Sequence, residues 1–214
     1  MTLWYLTRAT GVVALVLLTI TLALGVANVK RFHTSRIPRF VVNGVHRNAS
    51  LLAVTFLFLH VLTAITDGYV PLHVADVFVP FISAYRPFWV GLGALAVDLL
   101  TAVMVTSLLR KHLSRRLWRA THWLAYVSWP VALAHSIGTG TDAGSTWMWL
   151  LIGACILVVA AAVASRLAPS PSPPSDGQRQ AGRLAGDVLP VGRGVRSHPV
   201  VPRAEVQPSL ESAV

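Results

Sequence analysis

The chain has 214 residues, 54% hydrophobic and only 12% charged, which is too apolar for an ordinary soluble domain. Its formal charge of +10 raises nucleic acid as a partner, but the placement of the charges argues against one. Sixteen of the eighteen Lys and Arg fall in residues 30–47, in 110–119 and from Arg166 onward, alternating with loops almost free of positive charge, which is the positive-inside signature of a multispanning membrane protein.

The first apolar run covers about residues 3–28. Its basic cluster, Lys30, Arg31, Arg36 and Arg39, follows the run, the reverse of a cleaved signal peptide, so it reads as a retained helix with its N-terminus outside. The second run, 45–65, rises from inside to outside and carries His46 and His60. Fourteen residues is close to four turns, so both rings leave one helical face. They lie about 21 Å apart along an axis that crosses a hydrocarbon core of roughly 30 Å. In the outer loop 66–87, Val74, Val77, Phe78, Phe81, Ile82 and Tyr85 share one face. They predict an amphipathic helix in the outer interface, with Pro80 as its weak point. The third run, 88–109, returns inward to Arg110 and Lys111 and holds Asp98 near its middle, where a charge costs at least about 2.5–3.5 kcal/mol. Three roles are open to Asp98: a protonated acid, hydrogen-bond support for a histidine or hydroxyl, or a member of a proton path.

The fourth run, 117–137, goes outward and carries His122 and His135, thirteen residues apart. On a straight helix that spacing leaves the second ring about 140° from the first. Pro130, between them, is the expected site of a kink or altered winding that restores the phase. A short outer loop with Asp142 leads to the fifth run, 147–167, which returns inward to Arg166. Trp4, Tyr5, Trp89, Trp147 and Trp149 form an expected outer aromatic belt, with Trp118 at the inner one. Cys155, the single cysteine, excludes an internal disulfide and reads as a small packing residue. From Ala168 onward Pro, Ser, Gly and Arg dominate, too little apolar surface to offset chain entropy, so a disordered cytoplasmic tail is expected. The expected fold is an all-α integral membrane protein of the cell membrane. Five transmembrane helices make one bundle over 1–167, with the tail over 168–214, the N-terminus outside and the C-terminus cytoplasmic. No Gly-rich nucleotide loop follows a strand, and no stretch is left for a soluble catalytic domain.

Spans two and four run in the same direction. His46 is therefore level with His122 near the cytoplasm, and His60 with His135 near the outside. Two facing neutral imidazoles in an apolar slot are the axial pair of a low-spin b-type haem. A zinc or iron transport site calls for carboxylates or thiolates beside the histidines near the midplane, and none flanks these four. One intramembrane histidine serves equally well as a hydrogen bond between helices; four in two matched layers fit that role poorly.

The fragments GVHRNASLLAVTFLFLH (44–60), RRLWRATHWLAY (115–126) and RATG (8–11), with histidine spacings of fourteen and thirteen, resemble the ferric reductase-like transmembrane domain. That family includes ferric-chelate reductases, NADPH oxidases and the haem subunit of the bacterial methionine sulfoxide reductase system. The resemblance covers roughly residues 1–167. It implies two b haems, one on His46 and His122 and one on His60 and His135, which pass electrons across the membrane to ferric iron, oxygen or an external reductase partner. The flavin and nicotinamide domains fused to many relatives are absent from the sequence, so FAD or FMN is expected only on a separate cytoplasmic flavoprotein. Haem propionates are anionic, and Arg is their natural partner. Arg8, lodged a turn or two into span one, is expected at the outer haem. Arg47 beside His46 and Arg119 a turn before His122 are candidates at the inner one, and are equally explained as topology residues. His33, His73, His112 and His198 fall in loops or tail and are expected to bind no metal. The competing function is a metal or haem transport or assembly protein without redox turnover.

Overall fold

In this computed structural model the described residues are 2–29, 39–68, 70–140, 144–168 and Gly177. Lys30, Arg31, His33, Arg36, Asp142, His198 and the expected disordered tail beyond Ala168, Gly177 excepted, lie outside them. Helices α1 (Thr2–Val29) and α2 (Arg39–Thr66) are 28 residues each, and neither contains proline. In hydrocarbon every N–H and C=O must be paired within its own segment, so an apolar run of this length becomes a helix. A single turn, α3 (Ala75–Phe78), precedes α4 (Pro87–Leu108), which opens on a proline where a missing N–H costs no helix bond. Then come α5 (Arg115–His122), α6 (Leu124–Thr139) and α7 (Thr146–Leu167). Among the described residues there is no strand. Helices α1, α2, α4 and α7 are each long and apolar enough to cross a membrane. The protein is an all-α, multi-pass integral membrane protein.

The structure corrects two expectations. The fourth apolar run is not one helix, because α5 and α6 meet at Trp123. There the Trp123 N–H is shared between the Arg119 and Ala120 carbonyls at 3.2 Å each, and the Tyr126 N–H reaches the Trp123 carbonyl at 3.0 Å. Bonds of the i→i−3 kind wind the chain tighter, about 120° per residue against 100°. That is the direction which returns a thirteen-residue spacing toward four turns. The altered winding thus sits at Trp123, and Pro130 lies inside α6. Arg166 of α7 marks the place: its Nη1 donates to the Tyr126 hydroxyl at 3.0 Å and its guanidinium lies 4.9 Å from the centre of the Trp123 ring. The second correction is to the outer helix predicted over 74–85, of which only α3 forms. A proline disfavours the helical conformation at the residue before it, and Val79, ahead of Pro80, is extended. Phe81 then adopts φ 70° and packs on Gly91, where a Cβ would collide with the Phe81 ring.

Packing arranges the helices in two pairs. α1 lies along α2, and α4 along α6, while α1 also meets α6 and α7. Leu15, Leu22, Val26, Trp129, Leu133, Met148, Ile152 and Cys155 form the core where α1, α6 and α7 converge. Inside it the Trp129 indole N–H donates to Thr19 Oγ1 at 2.9 Å, which satisfies a buried polar tip. α4 and α6 touch at one end through Gly138, where a Cβ would overlap the Trp89 ring. Gly138→Ala is therefore expected to push the pair apart and destabilise the protein by about 1–3 kcal/mol, read as a lower thermal midpoint in detergent. Gly153→Ala, whose Cβ meets nothing within 4 Å, should leave the midpoint unchanged. Equal midpoints for the two variants would mean that this contact does not hold the pair.

Candidate metal and cofactor site

Three of the four intramembrane histidines are seated on a neighbouring helix in the same way. His60 Nδ1 lies 2.8 Å from the Thr7 carbonyl, His46 Nδ1 3.1 Å from the Thr21 carbonyl, and His135 Nδ1 2.8 Å from the Trp89 carbonyl. A carbonyl only accepts, so Nδ1 holds the proton and donates, and Nε2 keeps its lone pair. Metal-ligating histidines are supported in this manner. Each accepting residue is followed four positions later by a glycine: Gly11, Gly25 and Gly93. A helical carbonyl points toward residue i+4, so a ring that reaches it lies over that residue's side-chain position. A Cβ at Gly93 would stand 2.5 Å from His135 Cε1, at Gly11 2.9 Å from His60 Cε1, and at Gly25 3.4 Å from His46 Cε1.

All four histidines line one cavity of about 1330 Å³ between the two helix pairs, more than the roughly 300–1,000 Å³ of an ordinary small-molecule pocket. The His60 and His135 ring centroids are 6.3 Å apart with planes at 79°. With metal–nitrogen bonds of about 2 Å and each ring centre about 1 Å beyond its nitrogen, imidazoles on opposite sides of one metal stand with centroids roughly 6 Å apart. Among the described residues no three His, Cys, Asp or Glu cluster into an all-protein metal site. Two imidazoles at this spacing in a largely apolar cavity therefore fit a metal macrocycle, which would bring its remaining ligands with it.

His122 is held differently. Its Nδ1 is buried without a partner, and its ring stacks on Trp118 at 5.1 Å and 21°. Trp118 Nε1 and Thr21 Oγ1 are also buried and unpartnered. Both side chains line the cavity, as does Arg110, whose guanidinium lies 4.6 Å from the Trp118 ring centre. Buried donors beside a cation suit an anionic substituent of a bound group.

Of the arginines singled out in the sequence, Arg8 and Arg47 line the cavity, and Arg8 lies 4.2 Å from the Trp4 ring centre. Arg119 is exposed and outside the lining, where Arg110 stands in its stead. Asp98 is half-buried, off the lining, and supports none of His46, His60 and His135, whose Nδ1 atoms face backbone carbonyls. His112 is exposed. His73 is exposed as well, and its backbone N–H donates to the buried Asp76 carboxylate at 2.9 Å. Sequence reasoning missed the glycine seats, Arg110 and Trp118. One signal for the seats was present: Gly11 and Gly25, like Thr7 and Thr21, repeat at the fourteen-residue spacing of His46 and His60.

A family model described as "Ferric reductase like transmembrane component" matches residues 10–133, more than half of the chain. The match takes in His46, His60 and His122 and stops two residues before His135. No curated protein and no solved structure matches the chain. The chain belongs to the ferric reductase-like transmembrane family, whose domains are generally haem-binding, and is in general terms a redox component of a membrane.

Proposed function

We propose that the chain is a di-haem b electron-transfer subunit, which moves electrons from a cytoplasmic flavoprotein to an acceptor on the outer side, whether ferric iron, oxygen or a reductase partner. The observation that carries this reading is the seating of histidines at two levels of one cavity, with His60 and His135 spaced for a single metal between them. In this reading α5 and α6 cross together as a fifth span. α6 alone, at 16 residues, rises about 24 Å, short of the roughly 30 Å core. The eight residues of α5, Trp123 and α6 rise about 37 Å between them. The basic segments put the N-terminus outside and the C-terminus in the cytoplasm. His46 and His122 then form the inner pair, and His60 and His135 the outer.

Bound haem supplies the one-electron chemistry. The chain supplies Nε2 lone pairs at fixed places on His46, His60 and His135, the His122 ring, apolar walls, and cations for the propionates: Arg8 at the outer end, Arg47 and Arg110 at the inner. Trp118 and Thr21 add buried donors at the inner end. FAD or FMN belongs to the separate cytoplasmic subunit.

Purified full-length chain should show reduced b-type bands and two haems per chain, whereas a colourless preparation would favour metal or haem transport or assembly. His60→Ala and His135→Ala should each lose the outer haem and give matching spectra, while His46→Ala and His122→Ala lose the inner. A spectrum for His60→Ala that matched His122→Ala would make the pairing diagonal and refute the layered arrangement. With pure protein, NADPH alone should leave the haems oxidised, and reduction should begin on adding a flavoprotein or dithionite. A reporter fused after residue 167 should lie in the cytoplasm; an external signal would exchange the inner and outer assignments.

A further inference from the structure

The two helix pairs are antiparallel, so a step back along one is matched by a step forward along the other. From His60 to His46 is fourteen residues back along α2, and the accepting carbonyl moves fourteen forward along α1, from Thr7 to Thr21. No such tie is made between α4 and His122, whose Nδ1 meets no acceptor.

The Thr106 hydroxyl donates to the Ala102 carbonyl at 2.7 Å and lies 3.2 Å from the Val103 carbonyl. Thr121, the neighbour of His122, approaches it with Oγ1 to Oγ1 at 3.2 Å, so α4 and α5 do meet at this level. His122 Nδ1 is left buried and unpaired, with its ring resting on Trp118.

We infer that His122 is the exchangeable one of the four ligands, an imidazole whose tautomer and orientation no backbone carbonyl fixes, and that a small neutral ligand can take its place on the inner haem. This rests on the haem reading above. A ligating histidine that loses its supporting hydrogen bond binds metal about 10- to 100-fold more weakly. His46, on the other side of the inner site, keeps its support from Thr21. The outer pair has support on both members.

Two measurements on the full-length chain in lipid nanodiscs test this. In haem-free protein with 15N-labelled histidine, the resonances removed by His46→Gln, His60→Gln and His135→Gln should each report the Nδ1–H tautomer. The resonance removed by His122→Gln should average between the two tautomers. A pure Nδ1–H tautomer at His122 would overturn the inference. In haem-loaded protein reduced with dithionite, carbon monoxide should shift the absorption of one haem only, the one that survives in His60→Ala. Binding to the outer haem or to neither haem would refute it. A chain that takes up no haem would defeat the proposed function, and the nitrogen resonances would still decide the state of His122.

Discussion

An imidazole N–H that reaches a backbone carbonyl on the next helix, over a glycine four residues on, is the interaction around which the bundle is arranged. In hydrocarbon the helical carbonyls are already paired along their own helix, but each keeps a second lone pair. His46, His60 and His135 use that spare capacity on Thr21, Thr7 and Trp89, so the ring is fixed without breaking a helix bond. Lipid tails are as apolar as the helix faces, so hydrophobic burial does little to select one helix pairing over another. Ties of this kind select the antiparallel register of α1 on α2 and of α4 on α6. They also decide which nitrogen faces the cavity.

The ends of the bundle are closed by other means. On the His60 side, Trp89 packs on Gly138 and Phe81 on Gly91, and Arg86 donates to the Gly138 carbonyl at 2.7 Å, pairing an acceptor in the last turn of α6. On the other side the work falls to long polar side chains: Arg166 on Tyr126 and Trp123, and Arg110 on Trp118. The close approach of glycines to the Trp89 and Phe81 rings belongs to the His60 end, while cations lie over aromatic rings at both ends, Arg8 over Trp4 and Arg86 over Tyr85 on that side.

Much of this could be read from the sequence where one helix carries the whole pattern. The fourteen-residue spacing of His46 and His60 states the helical face and the two levels without reference to any neighbour, and the apolar runs state the helices. What depends on two distant segments was not legible. Gly11 and Gly25 have no meaning inside an apolar run until it is known that His60 and His46 lie over them. The break at Trp123 is marked by Arg166, more than forty residues away, whereas the local sequence points only to Pro130, a helix breaker. Arg119 was favoured over Arg110 from its closeness to His122 in sequence, but Arg110 at the end of α4 is the one that meets Trp118. The outer helix over 74–85 does not form because the Val79–Pro80 step stops it after one turn, whatever the apolar periodicity.

The thirteen-residue spacing and the free nitrogen of His122 have one origin. A helix that carried its histidines fourteen apart, as α2 does, would deliver both rings to one face without interruption. With thirteen, tighter winding turns the second ring back toward the first, and that winding sits at Trp123, directly after His122. His122 thereby becomes the last residue of a separate short helix. The position of that helix is set by the Ser114 cap on the Leu117 N–H, by the Trp118 stack and by the contact of Thr121 with Thr106. The α4 backbone, which fixes His135, no longer governs it. One end of the cavity is therefore built from carbonyls and glycines that admit a single ring orientation. The other combines one such seat at His46 with Arg47, Arg110 and Trp118, side chains with rotamers to spare. Rigidity at one level and adaptability at the other follow from the deletion of a single residue from the helical repeat.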